Sequence, residues 1–304
     1  MVNASNPIIE TFLDNMSQLD VRLATAQSQL ASGLRIQKPS DAPDVAADVV
    51  ELQAELVQNT QVQANLTTVK TEVDTGEQAL ENAMNLLDSA VVLASQASST
   101  LNGPVASNDA ANVLTNISQQ ISSIKAQLVG LSNSQANGKY IFSGDQDSSS
   151  AYSIDAAGNI TQVATAAATR RITDSNGVPF AVARTGAEIF DNPAGSVFAA
   201  VSALEAAVTA KSGAGVTASL TALQTGRDQV SGQLNFYGTV QDRVKTAIDL
   251  ASSVKVNRTQ MLAANRDADM ATAASDLAEI QIQRQAAMAA QSQVPRKTLF
   301  DYLG

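Results

Sequence analysis

An apolar seam between residues 66 and 94 constrains this chain more than any other feature. Leu66, Val69, Val73, Gly76, Leu80, Ala83, Leu87, Ala90 and Ala94 alternate steps of three and four, the spacing that holds side chains on one stripe of a helix facing a partner helix. The helical pattern begins near Asp44 and continues to about Leu101, which at 1.5 Å per residue makes a helix about 85 Å long. Such a helix draws most of its stability from a partner along the seam. Two later runs supply partners. After the turn at Asn102-Gly103-Pro104, Val113, Leu114, Ile117, Ile121, Ile124, Leu128 and Leu131 carry a helix back. Further on, Leu220, Leu223, Val230, Leu234, Tyr237, Val244, Ile248, Ala251 and Val254 continue toward Met261. The expected fold is mainly α: an elongated antiparallel bundle or coiled coil with its N- and C-terminal segments paired.

The two ends repeat the pattern. Ile9, Phe12, Met16, Leu19, Leu23, Ala26 and Leu30 form one seam, and Met270, Ala274, Leu277, Ile280 and Met288 form another after about Arg266. Periodicity alone fits a core helix of a bundle as well as a terminal helix that orders only when neighbouring copies arrive. Gly33 is placed to stop the first helix and Pro39 forbids its continuation. Asp41 is expected to cap the next helix, with Asp44 as acidic partner and Pro43 in the first turn, where its missing N–H costs nothing. Gly76 either weakens its helix by about 1 kcal/mol or permits a close contact.

The middle of the chain reads differently. Asn137-Gly138 precedes a short β-prone run, and Gly158-Asn159 and Asn176-Gly177 separate others, so residues 139–194 are read as a small β-rich outer insertion. Helical character returns near Ser196 with Val197, Val201, Leu204 and Val208, then breaks at Gly213-Ala214-Gly215. The domains expected are terminal segments at 1–43 and 266–304, a long-helix bundle from 44–138 and 195–265, and the insertion.

Composition narrows the function. The 304 residues include neither Cys nor His, which removes disulfides, thiol nucleophiles, the common zinc sites and imidazole acid–base chemistry. No cofactor is expected. A net charge of −10 leaves no basic stripe for phosphates, so no nucleic-acid partner is expected; Arg170-Arg171 and Arg296-Lys297 are read as solvated charges. Nothing approaches eighteen consecutive apolar residues, so no membrane insertion is expected, and no cleaved secretory signal is recognised. Aromatics are 4% with no Trp, which argues against a large globular core. Ser148-Ser149-Ser150 has no base or elbow motif beside it and reads as an exposed loop. Asp145, Asp147, Asp155 and Asp174 are the acids an enzyme in the insertion would use, but loop acids are mostly solvated and no pairing at catalytic spacing is legible.

At the termini a resemblance becomes specific. Leu30-Ala-Ser-Gly-Leu-Arg-Ile36 followed by Pro39-Ser-Asp-Ala-Pro43 resembles the amino-terminal signature of the bacterial flagellin superfamily, and the Pro-Ser-Asp-x-Pro form resembles its members at the junction of hook and filament. Gly138-Lys-Tyr-Ile-Phe-Ser-Gly144 and the closing Leu299-Phe-Asp-Tyr-Leu303 are similar to the same group, whereas Pro295 and Arg296-Lys297 depart from its pattern. The resemblance implies a non-enzymatic structural subunit, exported unfolded through the flagellar channel and located outside the cell. Its implied partners are other copies of itself in a ring, a neighbouring hook-associated protein, flagellin, and an export chaperone at the C-terminal segment. The assembly interface is then expected at Ile9, Phe12, Met16, Leu19, Leu23, Leu30, Leu277, Ile280, Met288, Leu299, Phe300, Tyr302 and Leu303. A short filament flagellin of the same superfamily and a cytoplasmic coiled-coil scaffold are the competing readings.

Overall fold

The computed structural model describes residues 7–103, 107–166, 168–173, 178–193 and 195–293. Long helices dominate. They are α1 (Pro7–Ser32), α2 (Ala46–Asn102), α3 (Ser107–Ser132), a short α4 (Gly186–Phe190), α5 (Val197–Thr209), α6 (Gly213–Arg266) and α7 (Met270–Gln293). The chain divides into two compact units: an outer one of Asn59–Ser253, and a terminal one in which Met1–Gln58 and Val254–Gly304 come together.

In the outer unit, α2 and α6 run antiparallel. Arg227 pairs with Asp88 at 2.6 Å, the Gln241 amide donates to Asp74 at 2.9 Å, and the Asn59 amide donates to the Ala251 carbonyl at 2.8 Å, so numbers fall on one helix as they rise on the other. Both helices keep a seven-residue series in the core: Leu66, Val73, Leu80, Leu87 and Ala94 on α2 face Val216, Leu223, Val230, Tyr237, Val244 and Ala251 on α6, all buried. Gly76 is where the largest of these fits. A Cβ there would lie 2.5 Å from the Tyr237 ring, so the missing side chain makes the ring's seat. Of the two sequence readings of Gly76, the close contact is the one realised.

Helix α3 lies against α5, adding Ile117, Ile121, Leu128, Val201 and Leu204 to the same core. Among the described residues the β structure is four separate antiparallel pairs: β1 (Gln135–Ala136) with β2 (Lys139–Tyr140), β3 (Tyr152–Ile154) with β4 (Ile160–Gln162), β5 (Arg171–Thr173) with β6 (Pro179–Ala181), and β7 (Asp191–Asn192) with β8 (Gly195–Ser196). Asn137 and Gly138 both take positive φ, 53° and 76°, as a tight two-residue hairpin requires. Asn176-Gly177 lies outside the described residues. Isolated two-stranded pairs are marginal in water, so these depend on packing. Phe142, Tyr152, Phe190 and Phe198 supply it as a chain of ring contacts with centroids 4.7–5.8 Å apart, joined to Tyr237 by Phe142. A chain poor in aromatics has gathered them where short strands need an anchor.

Several local expectations change. The Asp41 carboxylate does not cap α2, which begins at Ala46; it accepts the backbone N–H groups of Gln37 and Lys38 at 2.9 and 2.8 Å and closes the loop behind it. The break before α6 falls at Ala210–Ser212, with Lys211 at φ 55°, because the Ser212 hydroxyl caps the helix by accepting from Gly215 N at 3.1 Å. Gly213-Ala214-Gly215 are instead the first turn of α6, and Gly215 gives room to Ala207. Arg170 is not merely solvated: it forms an ion pair with Glu72 of α2 and ties the β-rich region to that helix. Within that region α4 is a helix the β reading passed over, started by a capping box between Thr185 and Glu188.

Candidate assembly surface

The terminal unit is built by a clasp between two loops 230 residues apart in sequence. Gly33, at φ 71°, ends α1 and its N–H donates to the Gln29 carbonyl at 2.8 Å. The chain then pairs with the α6–α7 loop: Leu34 bridges Asp267, Arg35 N and Ile36 N donate to the Arg266 carbonyl at 2.7 and 3.2 Å, and Ala268 N donates to the Gly33 carbonyl at 2.9 Å. The Arg35 guanidinium adds a bond to the Asn265 carbonyl. Ile36 drops into a small core with Val49, Leu52 and Leu262. The segment singled out as a family signature thus has a physical task, which is to hold the two chain ends together.

From the clasp, α1 and α7 run antiparallel in contact, with Asp20 and Arg284 3.7 Å apart. Asp269 starts α7 by accepting from Ala271 N and from the Thr272 backbone and hydroxyl. These bonds, Thr272's backbone first, hold the Asp269 carboxyl below its ordinary value. Asp41 is lowered in the same way, by the backbone N–H of Lys38 and then of Gln37.

The expected interface residues fall into groups. Phe12, Met16, Leu19, Leu23 and Leu30 on α1, and Leu277 on α7, are half-buried. Ile280 is 1% exposed, so its partners lie within the chain itself. Met288 is 50% exposed. Ile9 lies in α1, its side chain outside the description, and Leu299, Phe300, Tyr302 and Leu303 lie outside the described residues. Periodicity missed Leu13, Val21 and Ile282, which are 59–67% exposed. They stand off the seams; the only signal in the sequence was a large apolar residue at a position a two-helix pair leaves to solvent. Among the described residues, nine of the thirteen exposed large apolar side chains belong to the terminal unit, although it holds little more than a third of the chain.

Among the described residues no comparable constellation marks the acids of the β-rich region. Asp147 pairs with Lys139 at 2.6 Å, and Asp155 binds Asn159, whose side chain and then backbone lower its pKa, with the N–H groups of Ala157 and Gly158 adding to the effect. Asp145 is exposed and Asp174 lies outside the described residues. Ser148 and Ser149 are exposed, in keeping with a loop. Among the described residues no three or more His, Cys, Asp or Glu side chains converge on a metal site, and no described helix is long and apolar enough to cross a membrane.

The two chain ends are thus clasped into one helical pair with large apolar residues facing outward. The bacterial flagellin N-terminal helical region matches residues 5–147 and the bacterial flagellin C-terminal helical region matches residues 220–303, and the chain belongs to the bacterial flagellin family as a structural component of the flagellum. Among solved structures it is similar to a putative flagellar hook-associated protein from Vibrio parahaemolyticus, with 22% identity, a TM-score of 0.65, and 74% of this chain and 99% of the other covered. It also resembles Bacillus cereus FlgL (20%, 0.58, 70% and 99%) and flagellar hook associated protein-3 from Legionella pneumophila (12%, 0.60, 70% and 98%). No curated protein matches it.

Proposed function

We propose that the chain is a junction subunit between hook and filament, added axially through its paired terminal helices, residues 1–43 and 266–304. The observation that carries this reading is the terminal unit's outward apolar surface. Leu13, Val21, Ile282 and Met288 stand on both helices of the pair, and each large aliphatic side chain taken out of water contributes about 1.5–3 kcal/mol. Neighbouring copies arranged around an axis bury such faces together. The Phe12, Met16, Leu19, Leu23 and Leu30 seam becomes fully buried in the same step, and Leu299, Phe300, Tyr302 and Leu303 extend the contact. The choice of junction over filament is supported by the hook-associated proteins of like fold and by Pro39-Ser-Asp-Ala-Pro43. Export to the cell exterior with a chaperone on the C-terminal segment, a ring of copies, and neighbours that are a second hook-associated protein and flagellin complete the reading. No catalytic step is part of it.

Deleting the gene tests it. Cells that keep hooks, lack filaments and release filament protein into the medium are the expected result; intact filaments overturn the junction role. A short filament flagellin is the second reading, favoured by the same terminal helices. Seeded polymerisation separates the two, because a filament protein elongates without limit and a junction subunit adds a bounded layer.

A further inference from the structure

Between the β3–β4 hairpin and α5 lies a groove of about 780 Å³ that also reaches Lys125 of α3. Its size is that of a small-ligand site, about 300–1,000 Å³, and it lies wholly within the outer unit. On the α5 side the lining is small: Ala199, Ala206 and Ala210 are exposed and Ser202 is half-buried. On the hairpin side the Asn159 amide donates to Asp155 at 2.9 Å and the Gln162 amide to the Ala164 carbonyl at 2.8 Å, so both side chains are fixed before any ligand arrives. Lys125, 5% exposed, and Glu205 line the groove as an ion pair. Gly158, at φ 82°, lets the hairpin tip come close to that pair, since a Cβ there would lie 3.0 Å from Lys125 Nζ. Tyr152 lines the groove as well. It is 2% exposed, and its hydroxyl has no hydrogen-bond partner. Burial, and then the Asp191 carboxylate, raise the phenol above its ordinary pKa, so it remains a proton donor at neutral pH. A sealed donor without an acceptor carries a desolvation cost that a bound oxygen returns.

We propose that this groove binds a neutral saccharide. Its charged lining residues are Lys125, Asp191 and Glu205, one base against two acids, on a chain of net charge −10, so phosphate, sulfate and uronate groups are repelled. A wholly apolar ligand would leave the hydroxyls and amides of the lining without partners. A saccharide ring has both kinds of surface. Its C–H faces meet the alanines of α5 and Ile160. Its hydroxyls, each donor and acceptor at once, match the amides of Asn159 and Gln162 and the hydroxyls of Ser202 and Thr209. The Lys125–Glu205 pair presents a donor and an acceptor side by side, which suits neighbouring ring hydroxyls and asks for no charge on the ligand. The site belongs to the outer unit alone and does not depend on the junction reading.

The full-length chain tests it on an array of neutral, sialylated and sulfated oligosaccharides, with saturation-transfer NMR on maltotriose, cellotriose and N-acetylchitotriose. Binding of neutral members of the panel is expected. Ala206→Trp fills the groove from an exposed position and lowers affinity at least about tenfold, whereas Ala203→Trp, exposed on α5 but outside the lining, leaves it unchanged. Tyr152→Phe removes the unpartnered hydroxyl and lowers affinity about fivefold while the thermal melt stays level or rises, since no bond within the chain is lost. A panel with no neutral binder, binding confined to sialylated or sulfated members, or Ala206→Trp or Tyr152→Phe binding like the parent each overturn the proposal. Gene deletion tests the junction reading and saccharide binding by the purified chain tests this one, so either fails without the other.

Discussion

The outer and terminal units are written in the same heptad language and reach different degrees of closure. In the outer unit α2 and α6 share a core with α3, α5 and an aromatic cluster, and Leu80, Leu87, Ile121, Leu204 and Leu223 are sealed from solvent. In the terminal unit α1 meets α7 as a pair, and its seam residues from Phe12 to Leu30 stay half-buried apart from Ala26. One seam needs one stripe covered, but a large side chain is sealed only when neighbours close around it from several sides. Periodicity therefore specifies a helix and its contact face, while the number of elements within reach sets how dry that face becomes. The terminal unit is left with large apolar side chains facing solvent among its described residues.

The largest test of this contrast is deletion. Removing residues 1–30 or 270–304 is expected to abolish incorporation while the remainder keeps its helical circular dichroism; normal assembly by either truncation breaks the comparison. Next comes the same substitution placed in each unit. Leu87→Ala empties a sealed position and is expected to cost about 2–5 kcal/mol in denaturant unfolding. Leu23→Ala, at a half-buried position, is expected to cost the isolated chain under about 1.5 kcal/mol, in proportion to its smaller buried area, yet to impair assembly. Equal destabilisation by the two would mean that the terminal unit is as closed as the outer one. Gly76→Ala sets a methyl against the Tyr237 ring and should lower stability by about 1–3 kcal/mol through overpacking, with the loss confined to the outer unit in hydrogen exchange.

Acid produces the smallest effect, and it sharpens the contrast from the other side. Asp41 and Asp269 have lowered pKa values in the folded chain because backbone N–H groups bind their charged forms. A carboxylate so lowered stabilises the fold above its unfolded value, about 3.9, and that stabilisation is lost as pH falls through the lower folded value. Hydrogen exchange in α1 and α7 should therefore quicken below about pH 4. Asp41→Asn with Asp269→Asn should flatten that response, since an Asn side-chain oxygen still accepts backbone N–H groups, in the loop at 41 and as a helix cap at 269, without titrating; an unchanged acid limb would remove these two groups from the clasp's stability.

Much of the fold was legible because seams and stop signals are local. The run from Asp44 to Leu101 is α2 within two residues, Gly33 ends α1, and Asn137-Gly138 turns a hairpin. The errors arose where two mechanisms competed for one residue. Asp41 had the right chemistry for a cap and spent it on the loop behind, and Ser212 took the capping role that moved the start of α6 ahead of its glycines. The half-buried seam residues of α1 were visible by their period. Leu13, Val21 and Ile282 were not, since exposure depends on which faces the rest of the chain leaves uncovered.

Sequence by itself determined the helices, their apolar faces, the absence of thiol and imidazole chemistry, and the resemblance carried by the two ends, because each of these rests on residue identity and spacing along one element. Only the tertiary structure decided that Tyr237 seats on Gly76, that Arg170 reaches Glu72, and that residues 33–36 clasp residues 265–268. Those contacts join positions 98 to more than 200 residues apart, and the energy that selects them lies in the fit of surfaces that meet only after the chain has folded.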